Sequence, residues 1–65
     1  MMAIDFGRAF RALRLRTGLT QKQAGAIILR HKNTVARWER GEVTPDTLIQ
    51  AAAIRRLRER EEDKE

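Results

Sequence analysis

Two short helix-forming stretches, Gln21 to Ile28 and about Lys32 to Arg40, stand only three residues apart in this chain. So short a link forces the second helix to fold back on the first, and the pair behaves as one corner. Each stretch carries its own boundary signals. Thr20 can cap the first with its hydroxyl, and Gln23 three residues later completes a capping-box pattern. Leu19 and Ala24 can close a modest hydrophobic staple across that cap. The second stretch turns Val35 and Trp38 inward with Thr34 beside them, and Gly41 stops it.

Helical periodicity continues on both sides of this pair. Phe6, Ala9, Phe10 and Leu13 recur at spacings of three and four, which predicts a helix over about Asp5 to Arg16. Asp5 suits its N-cap or first turn, and Gly18 falls just past its last turn. A further helix is expected to open at Thr44-Pro45-Asp46: Thr44 caps, Pro45 supplies a first-turn φ, and Asp46 meets the helix dipole. Its apolar residues form two overlapping stripes, Leu48, Ala51 and Ala52 against Ile49, Ala52, Ala53 and Leu57. Nothing after Leu57 is apolar, so the charged end is expected to fray. Period-two alternation is missing over any useful length, which removes the strand signal. The expectation is an all-α, compact bundle of four to five short helices: one domain over residues 1–58, its central motif at about 20–40, and a charged, frayed tail at 59–65.

Size and charge narrow the function. A chain of 65 residues buries only about 60 % of its unfolded surface, so it gains from a partner subunit and has few walls to spare for a catalytic cavity. There is no cysteine and one histidine, His31, so neither a disulfide framework nor a metal site is expected. No Ser/His/Asp set and no phosphate-cradling glycine loop is present, which makes an enzyme the least favoured class, and no cofactor is expected. The longest apolar run, Ala24 to Leu29, is too short to span a bilayer, and the start does not read as a signal peptide, so a cytoplasmic location is expected. The net charge is +5. Residues 59–65 carry five acids and two bases, a local −3, and removing that from the total leaves +8 on residues 1–58. A basic body of this kind suits a polyanion.

The run Gly18-Leu19-Thr20-Gln21, then Val35-Ala36-Arg37-Trp38-Glu39-Arg40-Gly41, then Pro45, resembles the lambda-repressor-like, Cro/C1-type (XRE) helix-turn-helix family of bacterial and phage regulators. The likeness covers about Phe6 to Ile54. It implies a helix-turn-helix fold whose second motif helix enters the major groove of duplex DNA. On that basis Lys32, Asn33 and Arg37 meet base edges, with Thr34 and Ala36 as weaker candidates. The chemistry fits independently, since lysine and arginine match guanine O6 and N7 while asparagine pairs with adenine. Gln21 and the amides at the start of its helix correspond to a backbone-contacting position, and Lys22, Arg40 and the Gly41 and Glu42 amides are further phosphate candidates. Arg14 and Glu39 correspond to an ion pair that orients the recognition helix, and Trp38 reads as core.

The chain departs from the family pattern at its turn. Leu29 stands where glycine is usual, and a leucine at positive φ is strained by roughly 1 kcal/mol or more, so a differently built turn is expected. Arg30 stands where an aliphatic residue is commonly buried, and His31 where serine or threonine often caps. A second placement therefore stays open: Asn33 as N-cap, the helix starting at Thr34, and Arg30, His31 and Lys32 forming a basic turn toward phosphates. Ala24 and Gly25 are small for the first motif helix, which lets the helices approach closely or leaves room for the Trp38 ring. The resemblance implies a DNA-binding transcriptional regulator. The expected form is a homodimeric repressor acting by promoter occlusion, with half-sites roughly 34 Å apart. The alternative is a protein-interaction module on the same fold, such as an antitoxin or the regulator of a phage, plasmid or anti-defence operon, with a protein partner held by the fourth helix.

Overall fold

Residues 5–63 are described by a computed structural model and form four α-helices: α1 (Phe6–Arg16), α2 (Gln21–Ile28), α3 (Lys32–Glu39) and α4 (Thr47–Asp63). Residues 1–4 of the expected domain, and Lys64 and Glu65 of the expected tail, lie outside the described residues.

The first two helices begin where their caps place them. Asp5 accepts the Gly7 amide at 3.0 Å. At α2, Thr20 Oγ1 accepts from the Gln23 amide at 3.0 Å while Gln23 Oε1 accepts from the Thr20 amide at 2.9 Å, so the capping box is closed in both directions. α3 ends at Glu39, with Arg40 as its C-cap.

The ends of α1, α2 and α3 share one hydrogen-bond pattern, the Schellman motif, in which one residue turns left-handed. Gly18 (φ 76) and Gly41 (φ 78) fill that position after α1 and α3, and Leu29 (φ 61) fills it after α2. The supporting bonds after α2 run from the Leu29 amide to Ala26 O at 3.4 Å and from the Arg30 amide to Gly25 O at 2.8 Å. The turn thus keeps the shape that glycine would favour, and leucine bears the strain.

α4 opens later than the sequence suggests. Asp46, not Thr44, supplies the cap: its Oδ1 accepts from the Ile49 amide at 3.0 Å and its carbonyl from Gln50 at 2.9 Å. Pro45 stays outside the helix, where its carbonyl takes the Gln50 side-chain amide at 2.7 Å. At the other end the helix runs past Arg58, where a tail was expected, to Asp63. Glu61 is tied back to α1 by two bonds from Arg16, at 2.8 and 3.1 Å.

The core is formed by Phe6, Phe10, Leu13, Ala24, Ile28, Val35, Trp38, Ala53 and Leu57. Trp38 sits edge-on to Phe6 and Phe10, with ring centroids 5.5 and 6.0 Å away, an arrangement that aromatic quadrupoles favour. Of the two stripes on α4, the one through Ala53 and Leu57 is buried, while Leu48 is 83 % exposed. Glycine makes one close contact possible at the α1–α3 junction: a Cβ on Gly7 would run into the Trp38 carbonyl oxygen.

Candidate nucleic-acid interface

With Val35, Trp38 and the Glu39 side chain buried, α3 turns its other face outward. Lys32, Asn33 and Arg37 are exposed, and Ala36 and Thr34 are half-buried. Their arc follows from the period of the helix: residues 32, 33, 36 and 37 fall on the side opposite 35 and 38. With its side chains an α-helix is about 10–12 Å across, close to the width of a DNA major groove.

The cap of α3 settles its start. His31 is the N-cap, its Nδ1 accepting from the Asn33 amide at 3.0 Å. Asn33 is therefore inside the helix, and its side chain is not spent on capping. The second placement does not hold, since Lys32 and Asn33 already belong to α3, yet Arg30, His31 and Lys32 still lie together. Lys22, Ala26, Arg30, His31 and Lys32 line an open hollow of about 400 Å³ between the start of α2 and the start of α3. Arg30 does not take the inward place of an aliphatic residue; it is exposed, and its Nη1 donates to the Leu29 carbonyl at 3.1 Å. A smaller hollow of about 200 Å³, lined by Ile28, Trp38 and Ala53 among others, also borders Arg30.

Two phosphate candidates are engaged within the fold. The Gly41 amide, expected to face a phosphate, donates to Trp38 O at 3.1 Å, and the Glu42 amide to Arg37 O at 3.0 Å. Both bonds close the C-terminus of α3, so these donors are already spent. Gln21 is half-buried, and its Nε2 donates to Glu39 Oε1 at 3.1 Å, leaving a second hydrogen on the same nitrogen. Lys22 is exposed and forms no ion pair among the described residues.

Arg14 fixes the far end of α3. Its Nε and Nη2 donate to the two oxygens of Glu39 at 2.7 and 2.8 Å, and its Nη1 to the Leu19 carbonyl at 2.9 Å. The side chains are 9 % and 3 % exposed. Hydrogen bonding to Glu39 raises the Arg14 pKa above its ordinary value, against the opposing pull of desolvation. With Gln21 added, α1 and the start of α2 converge on the one carboxylate at the end of α3, and Arg14 ties the α1–α2 link to the same point.

Glu42 has a role that the sequence did not disclose. It accepts two bonds from Arg40, at 2.7 and 3.2 Å, and lies 3.8 Å from Arg37. The hydrogen bonds from Arg40 hold its carboxyl below the usual carboxylate range, with the Arg40 and Arg37 charges adding to the effect. The same bonds raise the Arg40 guanidinium. Only the clustering of Arg37, Arg40 and Glu42 over six residues hinted at such pairing.

A cap-defined pair of helices, locked by a buried ion pair and presenting a basic outer face, defines a helix-turn-helix module. Residues 5–57 match the family model described as a helix-turn-helix domain, and the chain belongs to that family. No curated protein and no solved structure matches it. Membership gives the chain a DNA-binding regulatory role and not a catalytic one. Among the described residues no group of acids and histidines could hold a metal ion, and no helix is long and apolar enough to cross a membrane.

Proposed function

We propose that this protein is a sequence-specific transcriptional regulator of the Cro/C1-type, XRE class, a repressor that occludes a promoter by binding duplex DNA in the cytoplasm. The single observation that carries the reading is the exposed row of Lys32, Asn33 and Arg37 on a helix whose opposite side is anchored by Val35 and Trp38. In the major groove Arg37 or Lys32 takes guanine O6 and N7, Asn33 takes adenine, and the Ala36 and Thr34 methyl groups face thymine. Lys22, Arg30 and the remaining Gln21 hydrogen neutralise or bond the flanking phosphates and set the register, while Arg40 is already held by Glu42. Two copies on a two-fold axis place their recognition helices one turn of DNA apart, roughly 34 Å.

The test is selection of bound duplexes from a random pool by the full chain, followed by salt titration of the selected sequence. The reading expects a two-fold symmetric consensus and an affinity that falls steeply with salt. A pool that never converges at low ionic strength would refute it.

A further inference from the structure

Away from α2 and α3, a groove of about 530 Å³ runs between α1 and α4. Phe6, Ala9, Ala51 and Ile54 floor it, Arg55 and Arg58 edge it, and no acid among the described residues lines it. The alanines keep the floor shallow and open, and exposed Leu48 continues the apolar strip along the face of α4 that holds Ala51 and Arg55. Arg14, Arg16 and Arg40 all hold carboxylates, but Arg55 and Arg58 have none among the described residues. The surface is thus apolar in the middle and cationic at one edge.

We propose that this groove binds an amphipathic helix of a protein partner, its apolar face on the alanine floor and its acidic flank on Arg55 and Arg58. A cleft walled by two helices offers grooves into which the side-chain ridges of a third can pack. Guanidinium groups one helical turn apart select carboxylates at the same spacing. A second copy docking by the same face is a poorer occupant, because it sets its own Arg55 and Arg58 against an already cationic rim. No residue of α2 or α3 lines the groove, so the partner can be held while α3 is on DNA. The proposal does not depend on the DNA-binding reading.

The test uses two synthetic helical peptides of about 18 residues. They share a leucine face and differ only in carrying glutamate or lysine along one flank, and each is titrated into the full chain at low salt while amide resonances are followed. The glutamate peptide should shift Ala9, Ala51 and Ile54 and bind about tenfold more tightly than its lysine twin. The double variant Arg55→Glu with Arg58→Glu should reverse that preference; should it fail to fold, Arg55→Gln with Arg58→Gln should abolish it. Equal binding of both peptides, binding of neither, or shifts centred on Lys32 and Arg37 would overturn the proposal. So would the same Ala9 and Ala51 shifts on concentrating the protein alone, which would assign the groove to a second copy.

Discussion

Arg14 on α1 and Glu39 on α3 meet through two parallel hydrogen bonds across 25 residues of sequence, both side chains almost fully removed from water. Their attraction is offset by the cost of stripping both charges of water, so the pair contributes orientation more than net stability. Removing one partner is a different matter. Arg14→Met strands a buried carboxylate and should cost about 3–5 kcal/mol, most of what a domain this small has. The double variant Arg14→Met with Glu39→Leu should recover most of that loss. Urea unfolding followed by circular dichroism decides it, and a single variant as stable as the parent would show that the pair is not buried in solution.

Leu29 gives the opposite expectation. It is 76 % exposed, so its side chain contributes little packing, yet it holds the left-handed position at the end of α2. Leu29→Gly should relieve the strain and stabilise by about 1 kcal/mol, reduced somewhat by the added freedom of the unfolded chain. In a domain of this length that raises the melting temperature by about 4–8 °C. A lower melting temperature would mean that leucine is not strained there.

Gly25 tests whether that turn is as tight as it looks. Alanine is normally better than glycine inside a helix by about 1 kcal/mol. Here, however, a Cβ would collide with the Arg30 backbone carbonyl, which cannot swing aside as a side chain can. Overpacking of that kind costs about 1–3 kcal/mol, so the clash wins and Gly25→Ala should destabilise. A stabilised variant would place the Arg30 carbonyl elsewhere.

Glu42 predicts a pH dependence with a definite sign. Its folded-state pKa is lowered by Arg40, so its contribution to stability is complete above the ordinary carboxylate range and is lost as pH falls through the folded value. Because both groups are exposed, the effect is small and weakens with salt. In a carboxyl NMR titration Glu42 should titrate lower in the parent than in Arg40→Ala, and identical curves would contradict the pairing.

Much of this arrangement is legible in the sequence, and the remainder follows contacts that no local pattern encodes. The start of α2 could be read because Thr20 and Gln23 satisfy each other within one turn. The outward face of α3 could be read because Val35 and Trp38 fix its phase. The start of α4 could not, since Thr44 and Asp46 both suit a cap and only the reach of Asp46 to the Ile49 amide decides between them. Its continuation to Asp63 accompanies the Arg16–Glu61 pair, whose members lie 45 residues apart. At the interface, residue types marked the cations but not their prior engagements. Arg40 is held by Glu42, and the Gly41 amide is spent on closing α3.

The central claim is that Arg37 reads a base whereas Lys22 meets only phosphate. It is tested most directly by measuring the affinity of the parent, Arg37→Ala and Lys22→Ala for the selected duplex and a shuffled one across a salt series. Arg37→Ala should lose about 1–3 kcal/mol on the selected duplex and much less on the shuffled one. Lys22→Ala should weaken both alike and reduce the salt slope by about one ion. Equal losses on both duplexes for Arg37→Ala would contradict the account.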